Sequence, residues 1–125
     1  MNVAGRTAVT RRISGDIMIF DIEGEYSRLT ASAPNLSELI KAQLNAGRRQ
    51  VLVNYEKAGF IDSFAIGELI TGFTSTQNLG GTFKICGLPA KIEVLFKITM
   101  LDKIFEIHPN ERAAIESFAA RPKPR

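Results

Sequence analysis

The sequence has one cysteine, one histidine and no long apolar run, and each scarcity removes a class of protein. A lone thiol cannot close an internal disulfide. Cys86 also lies in the apolar stretch Phe83-Lys84-Ile85-Cys86, where a small hydrophobe serves equally well. That usage fits a reducing, cytoplasmic setting. His108 has no second histidine and no nearby cysteine with which to share a metal, so a structural role is expected at its place before Pro109. No apolar run approaches the roughly 20 residues needed to cross a bilayer, and Met1 to Arg12 has no apolar stretch of signal-peptide length. A soluble protein with no membrane partner is expected.

A concentrated basic stripe is missing too. The formal charge is +3, but Arg6, Arg11, Arg12, Arg121, Lys123 and Arg125 all lie near the ends. Residues 13–120 carry ten basic and thirteen acidic side chains, a net charge of −3. Phosphate-backbone binding calls for the opposite pattern, so nucleic acid is not expected as a partner.

With 125 residues and 45% hydrophobic side chains, the chain has the length of one domain, expected over 1–125, and enough apolar material for a core. Met18, Phe20 and Ile22 alternate along a strand, after the turn-like Ser14-Gly15-Asp16 and a β-compatible run from Thr7 to Ile13. This reads as an opening hairpin. Leu36, Leu39, Ile40 and Leu44 then fall at helical spacing, with Gly47 placed to end the helix and Asn35 and Glu38 spaced as a capping pair; Pro34 leaves its start open. Gln50 to Tyr55 reads as a short buried strand, followed by a helix carrying Ala65, Ile66, Leu69, Ile70 and Phe73.

The alternation recurs. Gly80-Gly81 turns the chain into a strand from Thr82 to Cys86, and Pro89 suits the first turn of a helix with Ile92, Leu95 and Phe96 on one stripe. Ile104 to Ile107 reads as a last strand and Pro109 to Phe118 as a last helix. The tail 119–125 is expected to fray. A hairpin followed by strand–helix alternation implies an α/β fold with a mixed sheet and helices mainly on one face, because parallel neighbours need helical crossovers.

Catalytic patterns are sparse. Asp21, Glu23 and Glu25 alternate along a strand and could converge, but carboxylates at that spacing ordinarily form a solvated face. Gly80-Gly81 is followed by neither Walker nor dinucleotide spacing. A small hydrolase or nucleotide-binding enzyme using Asp21, Glu23 and Asp62 lacks a paired base, a metal motif or a nucleophile elbow, so no enzyme activity and no cofactor are expected. The segment Phe60-Ile61-Asp62-Ser63-Phe64 is more informative, because an apolar strand exit meets an acid and a hydroxyl where a helix begins. Either oxygen could accept a free helix N–H as an N-cap, contributing on the order of 1 kcal/mol.

Gly24-Glu25, Val51-Leu52-Val53-Asn54 and above all Gly59-Phe60-Ile61-Asp62-Ser63-Phe64-Ala65-Ile66-Gly67 resemble the STAS domains, specifically the anti-sigma factor antagonists. Gly80 to Gly87 and Leu101 to Ile107 are similar to that family's later strands and connections. The resemblance spans roughly residues 7–118. It implies that Ser63 is phosphorylated by an anti-sigma factor that is also a serine protein kinase and supplies ATP and magnesium. It further implies that the unphosphorylated form binds this kinase and frees sigma factor, until phosphorylation releases it and a phosphatase restores it. Asp62 would orient the serine hydroxyl or contact the kinase. The partner-binding set implied is Gly59, Asp62, Ser63, Phe64, Ile66 and Gly67, with a homodimer as a further possibility.

Three positions depart from the family pattern. Asn54 stands where an aspartate commonly ends a strand, Ser27 lies near a usual aspartate, and Phe64-Ala65 replaces a small residue and glycine. Phe64 either packs down locally or supplies an interface anchor. Asp62-Ser63-Phe64 also resembles the small scaffold subunit of stressosomes, a second STAS branch phosphorylated at the equivalent serine; the stretch from Leu101 to Phe105 favours the antagonist branch.

Overall fold

The turn at Gly15-Asp16 closes an antiparallel hairpin between β1 (Ala8–Ser14) and β2 (Ile17–Tyr26), with Ser14 opposite Ile17. A loop this short needs left-handed backbone, and Gly15 supplies it at φ 59°. The computed structural model describes residues 8–31 and 34–119. Thr7 and residues 120–125 of the expected frayed tail lie outside them, while its first residue, Ala119, ends the last helix. After the hairpin come α1 (Leu36–Asn45), β3 (Gln50–Ile61), α2 (Ser63–Asn78), β4 (Thr82–Cys86), α3 (Ala90–Ile98), β5 (Glu106–His108) and α4 (Glu111–Ala119).

The strands form one sheet in the order β1-β2-β3-β4-β5, antiparallel at the hairpin and parallel elsewhere. Each parallel step carries a helix, as its geometry requires. Met18, Phe20, Ile22, Val51, Val53, Phe83 and Ile85 point to the face covered by α1, α2 and α3. Ile17, Ile19, Leu52 and Cys86 point to the other face, where α4 lays Ala114, Ile115 and Phe118 over them. Covered on both sides, Ile17 to Phe20 is buried at every position rather than at alternate ones. A fully buried side chain of this size contributes about 1.5–3 kcal/mol, so the three-helix face carries most of the core energy. The mixed α/β fold expected from the alternation is the one found.

Packing of α1 on α2 is close enough that a Cβ at Gly72 would lie 2.5 Å from Ile40 Cδ1. The N-terminus of α1 is held from three directions. Glu38 accepts the Asn35 N–H at 2.7 Å, the Tyr26 hydroxyl accepts that of Leu36 at 2.9 Å, and Glu68 from α2 accepts that of Ser37 at 3.0 Å. The amides at this helix end are thereby satisfied by the helix's own Glu38 and by side chains of β2 and α2.

The last helix starts at Glu111 rather than Pro109, and two strand boundaries also differ from the sequence-based expectation. β3 does not stop at Tyr55 but runs on to Ile61, pairing with Glu23 to Tyr26 of β2 after β4 has ended opposite Asn54. With a strand on only one side, Glu56, Lys57, Gly59 and Phe60 are exposed, so this half lacks the apolar pattern of a central strand. Near the end, Ile104 and Phe105 are not in a strand. Met100 takes left-handed backbone at φ 64°, a 3-10 turn over Leu101–Lys103 follows, and β5 begins only at Glu106. Phe105 is buried regardless, against Phe73 at 5.0 Å and Phe96 at 6.1 Å between ring centres.

Candidate functional site at the start of helix α2

The overhanging half of β3 delivers Asp62 and Ser63 to the rim of the sheet. Asp62 is extended (φ −115°, ψ −173°) and is the N-cap of α2, where Oδ1 accepts the Ala65 N–H at 3.0 Å. Its Oδ2 accepts the N–H of Arg28 at 3.0 Å, from the loop between β2 and α1. One carboxylate thus fastens that loop to the first turn of α2. Desolvation works against its charge, but the amides of Arg28, Ala65, Phe64 and Asp62 itself outweigh it and hold the carboxyl below its ordinary range.

Ser63 is the first residue of α2 and is exposed. Each Asp62 oxygen accepts a backbone amide, and among the described residues no hydrogen bond engages the Ser63 hydroxyl. Of the two possible caps, Asp62 is the one used.

Phe64 turns inward. Its ring meets Tyr26 edge-on at 6.1 Å, and the Arg28 guanidinium lies 5.9 Å from its centre on the outside. Phe64 thus packs locally while part of it remains exposed. Ile66 is half-buried, Gly67 is exposed with open space around it, and Gly59 is exposed on the overhang beside the Gly24 backbone. Ala65 and Leu69 anchor the helix in the core. A shallow groove runs from Gly59, Phe60 and Ile61 to Lys91, Ile92 and Leu95 of α3, with Phe60 55% exposed.

Arg28 and Leu29 join this surface from the adjoining loop, and Leu29 is 91% exposed. Sequence spacing did not mark them, because Arg28 is recruited through its backbone amide, which any residue other than proline carries. Ser27 organises the same loop. Its hydroxyl donates to Glu25 at 2.6 Å and accepts the Leu29 N–H at 3.2 Å, while its own N–H donates to Thr30 Oγ1 at 3.1 Å.

Asn54 belongs to a different place. It is buried under α4, donating to Glu111 at 2.9 Å and accepting the Glu56 N–H at 2.8 Å. Arg12 completes this network by bridging Asp21, at 2.6 Å, and Glu111. Asp21 and Asp62 are not brought together: one pairs with Arg12 beside Asn54, the other caps α2 beyond Ile61. His108 contacts Glu106 at 2.7 Å, and the same carboxylate oxygen pairs with the buried Lys84 at 2.9 Å. Burial pushes the Cys86 thiol up to about 12. Among the described residues no group of three or more His, Cys, Asp or Glu side chains is placed to hold a metal, and no helix is long and apolar enough to cross a membrane.

The family model of the STAS domain matches residues 8–114. A Thermotoga neapolitana protein described as a candidate anti-sigma factor antagonist is 30% identical over 78 residues, covering 62% of this chain and 69% of that one. In fold, an anti-sigma factor antagonist from Mycobacterium paratuberculosis superposes with a TM-score of 0.82 at 17% identity, over 96% of this chain and all of that one. The Bacillus cell fate determinant SpoIIAA in its phosphorylated form gives 0.69 at 15% identity, over 89% and 99%. The chain belongs to the STAS domain family, and its relatives include anti-sigma factor antagonists.

Proposed function

We propose that this chain is a cytoplasmic anti-sigma factor antagonist that binds an anti-sigma factor with serine kinase activity and is switched off by phosphorylation of Ser63. The observation that carries this reading is the division between adjacent residues: Asp62 does the capping, and Ser63 stands exposed on the first turn. A phosphoryl group there displaces nothing that the fold needs.

In the transfer, the Ser63 Oγ attacks the γ-phosphorus of ATP held by the kinase. The Oγ–P bond forms, the bond to the bridging oxygen breaks, ADP leaves, and the hydroxyl proton passes to a base of the kinase. The product adds about −1.5 to −2 charge at a helix N-terminus, whose dipole and free amides tolerate it. A docking face shaped around a neutral hydroxyl, bordered by Gly59, Phe64, Ile66 and Gly67, would instead meet repulsion and desolvation cost. Binding is lost without unfolding, and a phosphatase restores it.

The test is capture of the kinase from cell extract by wild type, Ser63→Ala and Ser63→Glu. Wild type and Ser63→Ala should retain it, Ser63→Glu should lose it, and all three should unfold at nearly the same temperature. Equal capture by all three would sink the mechanism.

A further inference from the structure

Three observations single out Arg28 beside Ser63. Its backbone is pinned to the cap of α2, because its N–H donates to Asp62 Oδ2 at 3.0 Å. Its side chain is exposed and turns back over the helix, with the guanidinium 5.9 Å from the ring centre of Phe64, the residue after Ser63. Among the described residues it makes no ion pair. Two neighbouring carboxylates are engaged elsewhere: both oxygens of Asp62 take backbone amides, and Glu25 takes the Ser27 hydroxyl. The first turn of α2 contains no acidic residue.

We propose that the Arg28 guanidinium is the side-chain partner of a phosphoryl group on Ser63, leaving the face of Phe64 for the phosphate oxygens when the serine is modified. This rests on the reading of Ser63 as the modified residue. A planar guanidinium offers paired donors to phosphate oxygens, and such a charge-assisted fork is stronger than an exposed contact with a ring face. The tether at Asp62 fixes the Arg28 backbone beside the first turn of α2, so only its side chain has to turn. Modification then changes two things on the surface at once: phosphate charge is partly neutralised, and the Phe64 ring loses its cover. Arg28 acts here as a positioning residue, holding the phosphoryl group against the first turn of α2.

The experiment uses full-length protein with phosphoserine installed at position 63 during translation, so that no kinase is needed. Its phosphorus resonance is followed through a pH titration at low salt, in wild type, Arg28→Gln and Arg28→Lys. All three keep the backbone N–H to Asp62 and the same helix amides, so differences report the side chain. Phosphoserine loses its second proton near pH 6, and the guanidinium should move that midpoint about half a unit lower than in Arg28→Gln, with Arg28→Lys between them. Identical midpoints in wild type and Arg28→Gln would overturn the proposal. A kinase that never modifies Ser63 would defeat the functional reading alone, since this titration does not depend on it.

Discussion

Asp62 binds Arg28 and caps α2 with the same carboxylate, one oxygen to each at 3.0 Å. Two segments 34 residues apart in sequence are therefore held by one side chain at the edge of the sheet.

Asp62→Ala removes both contacts. The cap alone is worth about 1–2 kcal/mol, so the unfolding free energy should fall by at least about 1 kcal/mol. Hydrogen exchange should quicken at the Arg28 and Ala65 amides together. Ser63→Ala should leave both amides protected; faster exchange there would mean that the serine shares the capping.

Two buried tyrosines should respond in opposite ways to loss of the hydroxyl. The Tyr55 oxygen is buried without a hydrogen-bond partner among the described residues, whereas that of Tyr26 accepts the Leu36 N–H at 2.9 Å. Tyr55→Phe should raise stability by about 1 kcal/mol and Tyr26→Phe lower it by about as much. Denaturant midpoints measure both, and a destabilised Tyr55→Phe would reveal a partner for that hydroxyl.

Acid should loosen α4. The Arg12 guanidinium holds the Glu111 carboxyl below its ordinary value of 4.5, aided by Asn54 and opposed by desolvation. A carboxyl depressed in the folded state contributes stability above its unfolded pKa and loses it as pH falls through the folded one. The wild-type midpoint should thus decline below about pH 4.5, and in Glu111→Gln that decline should be shallower. Parallel curves for the two proteins would remove Glu111 from the acid response.

Much of the fold was legible because its apolar residues repeat at the periods of buried strands and helices. Met18, Phe20 and Ile22 marked one face of β2, and Leu36, Ile40 and Leu44 marked the buried stripe of α1. The second half of β3 was not legible, since Glu56 to Phe60 pair with β2 alone and show no buried alternation. Phe105 misled in the other direction: its burial comes from α2 and α3 rather than from a place in β5. At the site, the acid and hydroxyl types pointed to a cap without saying which residue served. Arg28 left no trace, because an amide donor 34 residues away has no side-chain signature.

The overhang of β3 also separates two kinds of mutational constraint. Position 62 answers to the fold, through α2 and the preceding loop, while position 63 carries almost none of that load. A change at 62 must therefore pass a stability filter before anything else, whereas a change at 63 is weighed by the chemistry of its side chain rather than by the fold.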